Sequence, residues 1–387
     1  MQYTEIEQPR AGDTVLVGMS GGVDSTLVAA LLQERGCRVI GVTMALWKGD
    51  LPPLPDGRKL KGSCYGPDEA EDIEACRAFC AERGIDYHVI DVKDDYQRLV
   101  LDYFKAEYRA GRTPNPCVRC NSFIKFGALL RGVQDMGIQY DCFCTGHYAR
   151  TVRPAAGVWG SGKTPVMIAC AADITKDQAY FLYRIPSETL EKVRFPLGLT
   201  AKKDVFAMAR ARGLVAAERA ESQDFMPPEY VSYLFSDKPG IPGDIIDLDG
   251  HVLGHHQGIE HFTVGQRRGL GVSSTRPLYV HSIDAQKHLV VLADNDDLLC
   301  GGLIADDCVW PADVVPDAPF DAQVKIRLAS RPVACRVEPV AADAQPAGAA
   351  WRITFAEPQR AVAPGQSAVL YIDNVIVGGG IISTALP

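Results

Sequence analysis

Val15-Leu16-Val17 is an unbroken apolar run, and the chain then switches to a helical period, with Leu27, Ala30 and Leu31 on one face of Thr26 to Arg35 and Gly36 as the stop. A second apolar run, Val39 to Met44, reads as a strand covered on both faces. The alternation continues. Pro67 to Arg83 predicts a helix, Tyr87 to Val92 a strand, Asp95 to Arg109 and Ser122 to Met136 helices, and Asp141 to Thr145 a strand. The Pro-rich stretch Lys48 to Gly62 and the stretch carrying Cys117 and Cys120 read as loops. Strands and helices alternating at these crossover lengths predict an α/β fold with a doubly wound parallel sheet, whose ligands bind outside the carboxyl ends of the strands.

From about Pro196 that alternation stops. A basic helix, Lys202 to Arg212, leads through Glu221-Ser222-Gln223-Asp224 to a short helix at Pro228 to Phe235, and strands and turns follow Gly240. Beyond Cys300 apolar and polar residues alternate between Pro and Gly turns, as in Val324 to Leu328 and Ala368 to Ile372, which predicts a C-terminal β-barrel. Ala341 to Ala350 reads as an alanine-rich hairpin loop. The expected domains are therefore 1–220, 221–298 (a small central domain) and 299–387.

Composition narrows the classes. The chain has 387 residues, 47% hydrophobic and 23% charged, as in a soluble protein of two or three domains. No apolar run reaches the roughly 20 residues that cross a bilayer, and Met1-Gln2-Tyr3-Thr4-Glu5 is neither basic nor apolar enough for a signal peptide, so a cytoplasmic location with no membrane partner is expected. Twelve cysteines are then expected as reduced thiols. A net charge of −8 argues against indiscriminate coating of nucleic acid, but not against a local basic patch.

The chemistry starts at Gly18-Met19-Ser20-Gly21-Gly22-Val23-Asp24-Ser25, between a strand and a helix. Glycines let backbone amides approach an anion, and the helix turns its positive end to the same spot. No lysine stands nearby in the sequence, so this is not a Walker loop. It resembles the pyrophosphate loop of ATP-pyrophosphatases, which cleave ATP between its α and β phosphates. Asp24 is a candidate Mg²⁺ ligand or a charge complementing the helix dipole, and Met44 is expected near the adenine.

Six further stretches follow in order: Thr113 to Asn121, Thr145 to Arg150, Lys176 to Leu182, Phe262 to Gly271, Pro364 to Ala368 and Gly378 to Ile382. Together with the loop they resemble the tRNA-specific 2-thiouridylase family over nearly the whole chain. The resemblance implies an ATP-pyrophosphatase domain, a central domain and a barrel. It also implies adenylation of the C2 oxygen of wobble uridine 34 in tRNA, followed by sulfur transfer with release of AMP and pyrophosphate. It places ATP on Gly18, Met19, Ser20, Gly21, Gly22, Val23, Asp24, Ser25, Met44 and Gly146. It places tRNA on Asn115, Pro116, Cys117, Lys176, Asp177, Gln178, Arg327 and Leu328, although an aromatic often stands at position 328. Lys202, Lys203, Arg267 and Arg268 are candidate phosphate contacts, His147 a candidate base, and Lys325 with Arg327 share one face of an expected strand. The competing readings are an ATP-pyrophosphatase ligase for a small substrate, an inactive tRNA-binding relative, and a zinc site built on the cysteines.

Sulfur handling departs from the family pattern. The common form pairs an Asp-x-x-Cys loop with a distant persulfide cysteine, whereas this chain reads Cys117-Val118-Arg119-Cys120 and has no cysteine between Cys170 and Cys300. The distant position falls near Glu221 to Met226, where no thiol stands. Two repairs fit. Cys117 and Cys120 act as a persulfide and disulfide pair in one loop, or both ligate a 4Fe–4S cluster with a third thiol from Cys64, Cys142 or Cys144. Cys120 is essential under either, Cys117 is its partner, and the sulfur comes from a donor protein such as a cysteine desulfurase or persulfide carrier.

Overall fold

A computed structural model describes residues 2–51, 63–218, 225–226, 228–231, 233–340 and 350–387. Most of the Pro-rich stretch, the Glu221 to Asp224 position and 341–349 of the hairpin loop lie outside the described residues. The chain divides into two compact units, one comprising Met1–Leu99, Cys117–Val231 and Asp373–Ile376, the other Val100–Pro116, Ser232–Ile372 and Val377–Pro387.

The first unit contains two sheets. Its strands are β1 (Tyr3–Glu5), β2 (Thr14–Gly18), β3 (Arg38–Ala45), β4 (Asp86–Asp91), β5 (Cys142–Cys144), β6 (Ala149–Pro154), β7 (Met167–Cys170) and β8 (Val193–Arg194). Five of them form a parallel sheet in the order β4-β3-β2-β5-β8, as the apolar runs predict. In that order β2 has β3 on one side and β5 on the other, so the chain reverses its winding direction there and opens a crevice at the carboxyl ends. Helices α1 (Val23–Glu34) and α2 (Glu69–Glu82) cover the sheet with α3 (Lys202–Ala211), burying Leu27, Val28, Leu32, Cys76, Cys80, Val205 and Ala209 against Val15 and Val17. A small antiparallel sheet, β1-β6-β7, had no signal in the sequence; its strands are three to six residues long.

One boundary differs where it matters. The helix expected from Ser122 begins at Pro116, so Cys117 and Cys120 stand on its first turns and not on a loop. Proline favours the first helical position, where its missing N–H is not needed. Residues Cys120–Ala128 are wound as a π-helix before the α-form resumes at Leu129–Asp135, and such wide turns concentrate at functional sites.

The second unit holds a four-stranded sheet, β10-β9-β12-β11 (Val252–His256, Gly243–Ile246, Leu289–Ala293, Tyr279–Asp284), over a core of Ile245, Ile259, Phe262, Val280, Val290 and Leu292. The remaining strands are β13 (Leu299–Val309), β14 (Phe320–Lys325), β15 (Val333–Pro339), β16 (Ala350–Arg360), β17 (Ser367–Ile372) and β18 (Val375–Leu386), which close into a six-stranded barrel around Trp351. Strand β14 ends at Lys325, so Arg327 lies in the turn beyond it and does not share a strand face with Lys325, which is itself buried.

Candidate functional site

The glycine-rich loop fills the crevice beside β2. Gly18 ends the strand, Gly21 takes a φ of +74° that strains any other residue, and Gly22 caps α1 without a capping side chain. Val23, Asp24 and Ser25 lie inside the helix, three residues earlier than the apolar period suggests, because that period says nothing about a first turn made of glycine and polar residues. Each loop residue has a distinct task. Met19 is spent on the fold: its N–H donates to Val42 O at 2.7 Å, its carbonyl accepts from Thr43, and its side chain is buried. Val23 is buried too. Ser20 Oγ lies 3.2 Å from Ser25 Oγ, which also accepts from Ser20 N–H, so the two hydroxyls stand together at the helix start. Met44 is half-buried two residues beyond Val42, the partner of Gly18, at the edge of the same crevice.

Asp24 is not a bare carboxylate. Lys202 Nζ lies 2.8 Å from both of its oxygens, and Tyr148 Oη donates to Oδ1 at 2.9 Å. Lys202 is buried, with its ammonium 5.1 Å from the ring centres of Tyr148 and Phe206, so it is not the exposed tRNA phosphate contact that its charge suggested. Gly146 was expected to admit the nucleotide. A side chain there would meet Asp24 Cβ at 2.8 Å, so its missing side chain lets the end of β5 close on the start of α1.

His147 is half-buried between two partners. Lys125 Nζ lies 3.3 Å from Nε2 and donates to it, which leaves Nδ1 to donate to Thr145 Oγ1 at 2.7 Å. Burial, and then the Lys125 charge, hold its pKa well below 6.5. A base that already accepts from an ammonium cannot take a proton from substrate, so His147 fixes Lys125. The ring's NMR signals should therefore remain those of neutral imidazole from pH 8 to pH 6. Because only the unfolded chain takes up that proton, His147 should cost stability as pH falls below about 6.5, seen as a falling denaturation midpoint.

The cysteines sort themselves by environment. Cys37, Cys76, Cys80, Cys142 and Cys144 are buried in the apolar core of the sheet, which removes Cys142 and Cys144 as third thiols. Cys64 is exposed, while Cys117 and Cys120 are half-buried. Next to Cys64, Tyr65 stacks on Tyr96 with ring centres 5.3 Å apart. Tyr96 is buried, and its hydroxyl is pushed far up first by that burial and then by the charges of Cys120, Cys64 and Cys117, so all three thiols lie within electrostatic reach of it. Burial pushes the Cys120 thiol up to about 11, against the pull of Lys125. Asn121 Nδ2 donates to Cys117 O at 3.0 Å, and its buried Oδ1 has no partner. Asn121 was quoted within its motif but given no task; a wide helical turn that frees a carbonyl is what gives it one.

The expected tRNA contacts divide. The Asp177 side chain is buried and accepts from Ala171 N–H at 2.9 Å, pinning the turn after β7; Gln178 Oε1 accepts from Tyr148 N–H at 2.9 Å, pinning the segment after β5, while Lys176 is exposed. Arg327 Nη2 donates to Val264 O and Ala361 O at 2.9 and 2.8 Å, which makes it a brace within the second unit, and Leu328 is exposed. Also in that unit, Gln366 Nε2 donates to Thr113 O and Pro114 O at 3.0 and 3.1 Å, fixing the backbone that leads into Asn115 and Pro116. Lys203, Arg267 and Arg268 are exposed. Among the described residues, no helix is long and apolar enough to cross a membrane.

Three family models match in chain order: the tRNA methyl transferase HUP domain over residues 13–226, the tRNA methyl transferase PRC-barrel domain over 231–294, and the aminomethyltransferase beta-barrel domain over 294–382. The tRNA-specific 2-thiouridylase MnmA of Geobacter metallireducens is 39% identical over 382 residues, covering 97% of this chain and 98% of that protein. Proteins of the same name from Endomicrobium trichonymphae and Pelobacter propionicus are 39% and 40% identical, covering 95% and 96% of this chain and 98% of each relative. The U34-tRNA thiolase NcsA from Methanococcus maripaludis, with its 4Fe–4S cluster, is similar at a TM-score of 0.34 and 19% identity, over 58% of this chain and 65% of that one. With full-length relatives near 40% identity and three matching domains in order, the chain belongs to the tRNA-specific 2-thiouridylase family.

Proposed function

We propose that this protein thiolates C2 of the wobble uridine of tRNA at the expense of ATP. The uridine C2 oxygen attacks the α-phosphorus of ATP and pyrophosphate leaves; a sulfur nucleophile then adds at C2, and AMP departs with the oxygen. The first step falls to the loop from Gly18 to Ser25, whose uncapped helix start offers amide donors to the polyphosphate. For the second, the observation that carries the reading is that Cys117 and Cys120 share the first turns of one helix, while Cys64 adjoins Tyr65, which stacks on Tyr96 within electrostatic reach of all three thiols. Tyr65 N–H donates to Phe225 O at 2.9 Å, so the chain beside the family's distant cysteine position runs next to Cys64. Cys64 thus stands in for the thiol that is missing there.

This arrangement favours the cluster over the cysteine pair. A persulfide carrier works best with a lowered thiol pKa, and burial moves Cys120 the other way. Cys64, Cys117 and Cys120 would hold a 4Fe–4S cluster as thiolates, and such a cluster, with three protein ligands and one iron open, would supply a site for a sulfur nucleophile. Asp24 could still accept Mg²⁺ through its remaining lone pairs. The sulfur would come from a donor protein as a persulfide, with a thiol reductant supplying the two electrons that bring it to the sulfide level.

Anaerobic purification tests both parts. The parent should carry about four irons per chain with matching labile sulfide, release AMP only with tRNA, and form 2-thiouridine. Cys64→Ser should lose iron and thiolation together and keep ATP binding. An iron-free protein that thiolates at full rate would exclude the cluster, and absence of tRNA-dependent AMP release would overturn the function.

A further inference from the structure

The loop lacks a lysine in sequence, and folding brings one from 178 residues away. Lys202 opens α3, where Asp173 Oδ2 accepts its backbone N–H at 3.0 Å, and its side chain crosses Tyr148 and Phe206 to reach Asp24 in the first turn of α1. We propose that Lys202 is the phosphate-binding cation of this site, parked on Asp24 and drawn off it by the phosphates of a bound nucleotide.

The inference rests on the ATP reading of the loop and adds the group that reading lacks. The polyphosphate of ATP carries several negative charges, and the net charge of this chain is −8, so the crevice needs a local cation. An ammonium on a four-carbon stem is a compact charge that can be transferred between neighbouring anions by rotating its last bonds. Here the ammonium itself lies 5.1 Å from the centres of two rings and 2.8 Å from both Asp24 oxygens, so its charge is held at the start of α1. One carboxylate at the α1 start holds that head now, and it stands where the helix amides also favour an anion. Asp24 is then a positioning residue: it aims Lys202, and Tyr148 Oη aims Asp24.

The test is calorimetric titration of the full-length protein with ATP, inorganic pyrophosphate and adenosine. Lys202→Met should weaken ATP and pyrophosphate roughly 10- to 100-fold, as expected for losing one charged hydrogen bond, and leave adenosine binding unchanged. Lys202→Arg should recover part of the loss. Since Lys202→Met leaves the half-buried Asp24 without its ion-pair partner, the Asp24→Asn/Lys202→Met double variant removes both charges and guards against misfolding. If that double variant folds and binds pyrophosphate as tightly as the parent, Lys202 only braces α1 against α3 and the proposal fails. A folded parent that binds neither ATP nor pyrophosphate would overturn the ATP reading itself.

Discussion

Cys120→Ser should form no measurable 2-thiouridine, a fall of roughly a thousandfold or more, while still binding ATP. Serine nearly matches cysteine in shape, and Cys120 sits in a helical turn whose backbone does not depend on its sulfur, so the fold should persist. What disappears is chemistry, because a hydroxyl neither ligates iron at neutral pH nor carries sulfur. Cys37 is the control. It is buried in the core of the sheet, and Cys37→Ala should lose a little stability and thiolate at the parent rate. Tritium- or mass-based detection of thiolated nucleoside reads the product, and equilibrium ATP binding separates loss of chemistry from loss of structure. Full thiolation by Cys120→Ser would remove the residue on which both repairs of the sulfur site depend.

Patterns that repeat along the chain were legible, and contacts between distant residues were not. The apolar runs that became β2 and β3 announce themselves by period, as does the order of helices between them, whereas the alternating run Val324 to Leu328 lies mostly beyond β14, and β17 is buried at five successive positions. Boundaries set by one or two residues escaped: Pro116 starts a helix where two prolines suggested a loop, and β14 stops before Arg327. The seven motifs located the site, but their chemistry had to be read from partners. Asp177 and Gln178 look like polar recognition residues in sequence, and in space each also holds a backbone N–H. Lys202 looks like a surface cation and is an ion-pair partner 178 positions from its carboxylate, a separation over which no local pattern extends. Cys64 was one of three candidate third thiols, and only burial in the core could eliminate Cys142 and Cys144.

Gly146→Ala should damage ATP use more than a single methyl group in a core ordinarily does. The added carbon would stand 2.8 Å from Asp24 Cβ and 3.0 Å from both Asp24 C and Ser25 N. Two of those three atoms are backbone, so no side-chain rotation relieves the contact and the first turn of α1 has to move away from the end of β5. Overpacking of this kind costs about 1 to 3 kcal/mol of stability. The larger consequence is geometric. Asp24 carries Lys202 and Tyr148 with it, and Ser25 carries its contact to Ser20, so a shift of this turn misaligns every polar group gathered at the loop at once. Displacements approaching 1 Å in a reacting site cost on the order of 100-fold in rate, and the variant should show a raised KM for ATP together with a reduced rate of AMP formation. Thermal unfolding and ATP titration on the same preparation separate the two effects. Should ATP affinity and rate both hold while only the midpoint falls, Gly146 would serve packing alone, and the start of α1 would tolerate displacement without loss of the nucleotide.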